Sequence, residues 1–266
     1  MSQLARVLIV AGSDCSGGAG IQADIKAVTA LGGYAMTAIT AITVQNTVGI
    51  AGIHEIPCET VADQMRVCLG DIGADVIKTG MLATAPAIEA VCAVIDAHAR
   101  DVPLVVDPVM VSKGGTRLLD SSAMTALKAA LILRASVITP NIPEAEVLSG
   151  IAIHSLSDVE KAGELLLSLG PKAVLIKGGH LPLPQVHDTL ITPQGHEVYT
   201  STRIETRATH GTGCTLASAL ATRLGQGLSL HAAVGSAISY VHQAIQKAPG
   251  FGKGHGPLNH AWAIRP

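Results

Sequence analysis

The stretch ARVLIVAGSDCSGGAGIQADIKAVTALGG, residues 5–33, decides the fold class of this chain. Its opening run, ARVLIVAG, is almost entirely apolar, which is typical of a buried β-strand. A turn with three more glycines follows, and then Ile21, Ile25 and Val28 recur at helical spacing until a pair of glycines ends the helix. A strand, a turn and a helix in this order begin a βαβ unit, so we expect a parallel sheet with crossover helices.

The same alternation of short apolar runs and longer helical stretches continues along the chain. Further strands are predicted at residues 36–44, 74–78, 103–107, 136–139 and 173–177, and an edge hairpin at 187–192 and 196–200. Helices are predicted near residues 60–69, 86–99, 122–133, 159–169, 214–224 and 230–247. Ser157 and Glu160 have the spacing of a capping box for one of these helices. No linker or repeat interrupts the pattern, so we expect one α/β domain over residues 1–266.

Composition excludes several classes of protein. Of the 266 residues, 48% are hydrophobic and 14% charged, a balance that favours a folded chain over a disordered one. The formal net charge of −2 and the aromatic fraction of 2% argue against a nucleic-acid partner, which needs basic surface or stacking rings. The uncharged stretch 27–53 is punctuated by Thr and Gly, so we expect no membrane span.

Targeting and redox signals point to the cytoplasm. The first ten residues run directly into the first predicted strand and show no secretory signal pattern. The five cysteines include no C-x-x-C pair, so we expect free thiols rather than a disulfide framework. Together these observations predict a cytoplasmic protein.

The first glycine-rich turn allows three interpretations. It is not a Walker loop, because no Gly-Lys-Ser/Thr follows at the required spacing. Gly18, Gly20 and Ala23 match a dinucleotide fingerprint, yet no acidic residue lies between Asp24 and Glu55 to hold a ribose. A turn that binds no ligand is the third alternative.

A second glycine turn, THGTGC at residues 209–214, immediately precedes a predicted helix. Backbone N–H groups at such a place converge on an anion, so we expect an anion hole. Cys214 would sit at the helix start, where the pKa of a thiol is lowered. A small buried apolar side chain is the alternative for Cys214, and a Cys214–His210 pair for acyl transfer is another.

Polar side chains follow two predicted neighbouring strands. Asp107 ends one strand, and Asn141 and Glu144 follow the next. Because ligands bind outside the carboxyl ends of strands in open α/β sheets, these groups are suited to hold Mg²⁺ beside a polyphosphate. Asn141 and Glu144 could equally be helix-capping residues. Lys177 ends another strand and could contact a phosphate.

In combination, these strings resemble the ribokinase-like family, and within it the bacterial hydroxymethylpyrimidine/phosphomethylpyrimidine kinases of thiamine synthesis. The resemblance runs almost end to end. It is carried by residues 11–24 (AGSDCSGGAGIQAD), 40–46 (TAITVQN), 78–82 (KTGML), 107–110 (DPVM), 139–145 (TPNIPEA), 177–180 (KGGH), 210–214 (HGTGC) and 252–257 (GKGHGP). It implies a three-layer α/β/α fold with a central, mostly parallel sheet flanked by helices.

The resemblance also implies an activity and a set of site residues. The enzyme would use Mg²⁺ and ATP to phosphorylate 4-amino-5-hydroxymethyl-2-methylpyrimidine and then its monophosphate. Substrate-binding roles would fall to Gln45, Gly12, Ala19, Asp24, Met81 and Val109. Asp107 and Glu144 would serve the metal, Asn141 and Lys177 the nucleotide, and Gly211, Thr212 and Gly213 the anion hole, while Cys214 would accept or orient the hydroxyl proton.

Some expectations stay open at this stage. Ile238 stands where the family often has Lys, so one charge contact is missing. A pyridoxal kinase of the same fold, an enzyme that accepts both substrates, and a metabolite-binding protein without catalysis are alternatives. We also expect small-molecule partners, a homodimer as one candidate assembly, and a pocket in which aliphatic and thioether groups rather than aromatic rings clamp the ligands.

Overall fold

The computed structural model describes residues 4–110 and 121–264. Its centre is a nine-stranded sheet with the order β3-β2-β1-β4-β5-β6-β7-β8-β9. The strands are β1 Arg6–Asp14, β2 Tyr34–Gln45, β3 Ile50–Glu55, β4 Val76–Thr79, β5 Leu104–Val106, β6 Val137–Ile138, β7 Val174–Ile176, β8 Gln185–Thr192 and β9 Gly195–Thr202. The six strands from β2 to β7 in this order are parallel, and β3, β8 and β9 are antiparallel to their neighbours.

Eight α-helices in the described part of the chain cover the two faces of the sheet. They are α1 Gly20–Ala30, α2 Cys58–Asp71, α3 Ala85–His98, α4 Ser121–Ala126, α5 Ile142–Ser149, α6 Leu156–Leu167, α7 Thr212–Gly225 and α8 Leu230–Gln246. The helix that begins with α4 continues as a π-helical segment, Leu127–Ile132, and short 3₁₀ turns occupy Gly178–His180 and His260–Ala263.

The first βαβ unit forms for the reasons that its sequence suggests. Eight of the nine β1 residues are buried, because the strand lies inside the sheet with a helical layer on each face. The chain leaves α1 through Gly32, whose φ of 75° is in the left-handed region that glycine adopts without strain. It then enters β2, which pairs in parallel with β1 from Tyr34 opposite Arg6 onward.

Two hydrophobic cores lie on opposite faces of the sheet. Alternate β1 residues enter each core, with Leu8 and Val10 in one and Val7 and Ile9 in the other. Helices α2 to α6 cover the first core, and α1, α7 and α8 cover the second. Val, Ile, Leu and Ala dominate both cores, as the 2% aromatic content requires.

The expected α/β class, the mostly parallel sheet and the β8–β9 hairpin are confirmed. The capping box is displaced from the predicted pair, because Ser155 and Asp158, not Ser157 and Glu160, close the N-terminus of α6. Strand β3 and helix α5 were not predicted. Within residues 4–110 and 121–264, no helix combines the length and the apolar character that crossing a bilayer requires.

Candidate active site

One large cavity lies at the carboxyl edge of the parallel strands, with a volume of about 670 Å³. The parallel strands all end at this edge, so the residues that follow them meet there. The predicted site residues that line the cavity are Gly12, Ala19, Gln45, Met81, Asp107, Val109, Asn141, Glu144, Lys177, Gly211, Thr212, Gly213 and Cys214. Asp24 is the one predicted site residue that is absent from the wall.

The anion hole is built at the start of α7. Gly211 is the N-cap, with a φ of 81° that suits glycine, and a Cβ at this position would lie 1.8 Å from the carbonyl oxygen of Gly18. Gly213 leaves space for the ammonium group of Lys177, because a Cβ at this position would lie 3.0 Å from Lys177 Nζ. The first N–H groups of a helix have no acceptor within the helix, so the amides at this end can serve a ligand in the cavity. The Thr212 N–H makes only a long contact, 3.4 Å, to the Thr209 carbonyl oxygen.

The thiol of Cys214 differs from the expectation. It borders the cavity and is partly exposed there, yet the protein atoms packed around it desolvate the thiolate and raise the pKa of the thiol to about 12. The charge of Lys78 and the N–H of Gly20 lower the pKa, while Asp24 and Asp107 raise it further. The prediction of a lowered thiol pKa was therefore wrong, because desolvation outweighs the favourable helix terminus.

Asp24 belongs to a buried ion pair rather than to the pocket wall. Lys78 Nζ donates to both carboxylate oxygens of Asp24 at 3.0 and 2.9 Å, and both side chains are fully buried. Ser218 Oγ on α7 donates to the same carboxylate at 2.7 Å. Lys78 itself lines the cavity, so Asp24 acts on the site through Lys78.

A second charged group lies at the ends of β5, β6 and β7. Lys177 Nζ donates to Asp107 Oδ1 at 2.9 Å and lies 4.0 Å from Glu144 Oε2. Burial raises the pKa of Glu144 to about 7. The positive charge of Lys177 lowers this pKa, and the negative charge of Asp107 raises it. Thr139 Oγ1 donates to Asp107 at 3.1 Å and fixes its orientation.

Asn141 and Glu144 have a structural task as well as a place in the cavity. The Asn141 side chain accepts the Glu144 N–H at 2.9 Å, and the Glu144 carboxylate accepts the Asn141 N–H at 2.8 Å. This reciprocal pair is a capping box for α5, so the helix-capping interpretation is confirmed. Both residues also line the cavity, so the two interpretations do not exclude each other.

The opposite end of the cavity holds Gln45 and the first glycine turn. Thr43 Oγ1 donates to Gln45 Oε1 at 3.2 Å, and the Nε2 atoms of Gln45 and His210 lie 3.2 Å apart. Met81 packs so closely on the backbone that a Cβ at Gly12 would lie 2.4 Å from the Met81 methyl group. Gly12 therefore keeps the thioether of Met81 against the floor of the pocket.

His210 is engaged with the first glycine turn and not with the thiol. Its Nε2 lies 2.8 Å from Asp14 Oδ2, and no hydrogen bond in the described part of the chain joins it to Cys214. Burial by itself would raise the pKa of Asp14, but hydrogen bonds from His210, Ser16 and Ala19 lower it to about 2. The geometry gives no support to a Cys–His nucleophile pair.

The third region of the cavity is an apolar slot that the sequence analysis missed. It is lined by Val186, Ile204, Leu216, Ile238, Val241 and Ile245. Three of these residues recur at helical spacing on α8, a signal that periodicity could have found. Ile238 thus completes an apolar wall. None of the described residues that line the cavity is Phe, Tyr or Trp, in agreement with the expected wall, while clamping of the rings stays a prediction.

Comparison with known proteins assigns these features to a family. The sequence model described as phosphomethylpyrimidine kinase matches residues 14–259. The hydroxymethylpyrimidine/phosphomethylpyrimidine kinase of Bacillus subtilis is 45% identical over 256 residues, which are 96% of this chain and 94% of that protein.

A longer relative and a solved structure extend the comparison. A thiamine biosynthesis bifunctional protein of Geobacter sulfurreducens is 48% identical over 257 residues. The match covers 97% of this chain but only 52% of that longer protein. The Staphylococcus aureus pyridoxal kinase in complex with ADP superposes with a TM-score of 0.91 at 35% identity, covering 99% of this chain and 96% of that one. The fold of this chain is therefore the ribokinase-like fold of these kinases.

Proposed function

Because the chain belongs to the phosphomethylpyrimidine kinase family, we propose that it phosphorylates 4-amino-5-hydroxymethyl-2-methylpyrimidine with ATP and then phosphorylates the monophosphate, in thiamine biosynthesis. The observation that carries this proposal is the arrangement of one cavity, in which an anion hole lies between a Gln45 pocket and a group of buried carboxylates. Phosphoryl transfer needs mainly positioning and stabilisation of charge, which this arrangement supplies.

The amides of Gly211, Thr212 and Gly213 would stabilise the equatorial oxygens of the phosphoryl group in transit. Their donors are fixed by the start of α7 before the ligand arrives, so little reorganisation is needed during the reaction. Lys177, held by Asp107, would lie along the phosphates as a positive charge on the same side of the hole.

Cys214 would receive a hydrogen bond from the attacking hydroxyl and orient it toward phosphorus. With a pKa of about 12, the thiol is neutral at physiological pH and is a weak proton acceptor. A loose transition state releases the hydroxyl proton late, after most of the bond to the leaving group has broken, so an orienting group can suffice.

The residues near Lys177 fit a Mg²⁺ ion. Asp107 and Glu144 provide two buried carboxylates on one side of the cavity, and a divalent cation would favour the ionised form of Glu144. Mg²⁺ uses few protein carboxylates and completes its shell with water and phosphate. When bound, the ion would neutralise charge on the phosphates, with Asp107 and Glu144 holding it.

The two ends of the cavity divide the two substrates. Gln45 would contact the edge of the pyrimidine, with Gly12, Ala19, Met81 and Val109 around the ring. The apolar slot at Ile238 and Val241 would receive the adenine, with Asn141 and Lys177 nearer the phosphates. The solved ADP complex of the pyridoxal kinase supports a nucleotide substrate.

The test is ATP consumption by the purified protein with hydroxymethylpyrimidine, its monophosphate, pyridoxal or no acceptor. We expect turnover with the first two acceptors. Turnover with pyridoxal alone would overturn the substrate assignment, and no turnover with any acceptor would favour a binding protein.

Gln45→Leu is expected to raise KM for the pyrimidine with KM for ATP unchanged, because Gln45 lies at the far end of the cavity from the nucleotide slot.

Pyridoxal is the second candidate substrate, because a pyridoxal kinase has nearly the same fold at 35% identity. The relative at 45% identity is a pyrimidine kinase, so we place the pyrimidine first. An enzyme that uses both would show turnover with all three acceptors, and mutual competition would show that they share the Gln45 pocket.

Two further features complete the proposal. We place the enzyme in the cytoplasm, because all five cysteines are free thiols, as a reducing compartment requires.

We also propose a homodimer that pairs through the β2–β3 hairpin at the sheet edge. This hairpin exposes the apolar side chains of Ile42, Val44, Val48 and Ile53.

A further inference from the structure

His260 lies outside every motif of the site, yet a hydrogen-bond chain connects it to the anion hole. It begins the 3₁₀ turn His260–Ala263 near the end of the chain and is almost fully buried. Its Nε2 lies 2.9 Å from Thr215 Oγ1, and Thr215 Oγ1 lies 2.8 Å from the carbonyl oxygen of Gly211. The chain of contacts therefore ends at Gly211, the N-cap residue of α7.

The two distances determine where the protons are. A carbonyl oxygen can only accept, so the hydroxyl proton of Thr215 must point to Gly211. The hydroxyl oxygen then needs a donor for its second short contact, and only an N–H at His260 Nε2 can supply it. His260 is therefore the Nε2–H tautomer, and the chain has one direction, from His260 through Thr215 to Gly211.

The Gly211 carbonyl is half of the peptide that forms the anion hole. In a planar trans peptide, the C=O of Gly211 and the N–H of Thr212 point in opposite directions. The carbonyl accepts the Thr215 N–H at 2.9 Å as well as the Thr215 hydroxyl, so it points along α7. The Thr212 N–H consequently points out of the helix start, where the carbonyl oxygen of Thr209, a residue of the cavity wall, accepts it at 3.4 Å. This contact is longer than an ordinary N–H···O hydrogen bond, so a phosphoryl oxygen can take its place. Successive hydrogen bonds polarise one another, so donation to the carbonyl strengthens the opposite N–H as a donor.

Gly211 has particular need of this support. It is an N-cap with no side chain, so no cap side chain fixes the peptide orientation. Its φ is 81°, and glycine has wide conformational freedom, so contacts from other residues must hold the peptide in place.

We propose that His260 is a positioning residue for phosphoryl transfer, acting through Thr215 to orient and polarise the Gly211–Thr212 peptide of the anion hole. This inference rests on the proposed kinase function for its kinetic consequences. Its structural part, the direction of the hydrogen-bond chain, does not.

The surroundings of His260 keep it in the form that the chain requires. Tyr240 Oη donates to the His260 carbonyl at 2.6 Å and anchors the turn against α8. Burial lowers the pKa of His260 to about 4, with a further contribution from the charge of Lys26, so the imidazole is neutral at physiological pH. A neutral ring with its proton on Nε2 is the donor that Thr215 needs.

The test compares variants that remove the chain with variants that preserve it. His260→Leu removes the donor, whereas His260→Gln can still donate from its side-chain amide. Thr215→Val removes the hydroxyl at nearly the same shape, and Thr215→Ser keeps it. Loss of one direct donor to a transition-state oxyanion costs about 100-fold or more in kcat, so a residue acting on that donor should cost about tenfold.

We expect His260→Leu and Thr215→Val each to lower kcat about tenfold with KM for ATP unchanged, and the Gln and Ser variants to recover most of it. The double variant that combines His260→Leu with Thr215→Val should be no slower than Thr215→Val alone, because the two residues act in series. Tyr240→Phe is the matched control, since it loosens the same turn without touching the chain. It should lower the melting temperature and leave kcat unaffected. Equal losses of kcat in all five single variants, or a raised KM with kcat unchanged, would overturn the proposal.

Two measurements separate this inference from the kinase function. Imidazole ¹⁵N shifts report the tautomer directly, and a proton on Nδ1 of His260 would refute the chain whatever the enzyme's substrate. Affinity for ADP with Mg²⁺ and aluminium fluoride, a planar mimic of the transferring phosphoryl group, should fall about tenfold in His260→Leu while affinity for ADP is retained. If the wild-type protein binds this mimic but phosphorylates no acceptor, the proposed function fails and the inference about the anion hole stands.

Discussion

Asp14 is a carboxylate with almost no solvent contact whose charge depends on its neighbours. His210, Ser16, Gly18 and Ala19 all donate to it. These donors hold the first glycine turn in the shape that presents Ala19 and Gly20 to the cavity. At the scale of single residues, the site thus depends on hydrogen bonds within its own wall.

We expect Asp14→Asn to be less stable than the wild type by about 2 kcal/mol at pH 7, from a folded pKa of about 2 against 3.8 for the free group. A lowered pKa stabilises the fold above the unfolded value, so this contribution is present at neutral pH. It is lost as pH falls from about 5 to about 2. Urea unfolding of both proteins at pH 7, 4 and 3 measures the difference. Asp63→Asn, an exposed site, is the control, and a difference independent of pH would contradict the assignment.

Cys214→Ser tests the role of the thiol. If Cys214 orients or accepts the hydroxyl proton, replacing its sulfur with the smaller oxygen of serine should lower kcat about tenfold or more for the first phosphorylation, whose acceptor is a hydroxyl, with KM for ATP little changed. Cys68→Ser on α2 controls for loss of a thiol away from the cavity. Full turnover of both steps by the Cys214 variant would remove the residue from the mechanism.

At the scale of elements, the Lys78–Asp24 pair joins strand β4 to helices α1 and α7. Either single substitution leaves the other charge buried without a partner, so Lys78→Met should lower the free energy of unfolding by about 3–5 kcal/mol. The double variant Lys78→Met with Asp24→Leu should be more stable than Lys78→Met alone. A double-mutant cycle by chemical denaturation measures the coupling, and Arg66→Met at an exposed ion pair should change little. Additive losses would show that the pair is not coupled.

The glycine-rich segment at residues 252–257 connects two parts of the site. Gly254 N–H and His255 N–H donate to Thr47 in the β2–β3 turn, and Gly256 exchanges backbone hydrogen bonds with the segment that leads into the anion hole. A Cβ at Gly254 would lie 2.1 Å from the Thr47 carbonyl oxygen, so only glycine fits.

Gly254→Ala should therefore displace the β2–β3 turn and raise KM for the pyrimidine about tenfold, because Gln45 immediately precedes the turn. Gly49→Ala, in the turn itself, has nothing within 4 Å of its added Cβ and is the matched control. Acceptor kinetics at saturating ATP provide the measurement. An equal effect of the two substitutions would separate the segment from substrate binding.

At the scale of the whole molecule, the proposed dimer follows from the edge of the sheet. The β2–β3 hairpin exposes several apolar side chains, including Val44 and Ile53, which a second copy could cover. Val44→Lys is expected to shift the protein from dimer to monomer in size-exclusion chromatography with light scattering. Val67→Lys, at an equally exposed position on α2, should leave the mass unchanged. A monomeric wild type at all concentrations would refute the dimer.

The fold was largely predictable, because its signals are local. Apolar runs such as residues 5–12 and the helical spacing after them predict a parallel α/β sheet, and the structure confirms it. Strand β3 was missed because most of its side chains are exposed and its pattern is not that of a buried strand. Helix α5 was missed because it is short and begins with a proline-containing string that also suggests a loop.

The site could be predicted only in part. Motif spacing brought Asp107, Asn141, Glu144 and Lys177 to one sheet edge, because parallel strands must end together. The sequence could not place Asp24, since whether a carboxylate faces a cavity or a buried lysine depends on residues 54 and 194 positions away.

The sequence by itself thus determined the layers, the strand direction and the motifs that meet at the carboxyl edge, since these depend on local periodicity and on turns. The tertiary structure alone decided the electrostatics. It raised the pKa of Cys214 by burial, paired Asp24 with Lys78, and connected His260 to the anion hole. Desolvation and long-range hydrogen bonds depend on what packs around a group, and no local pattern encodes that.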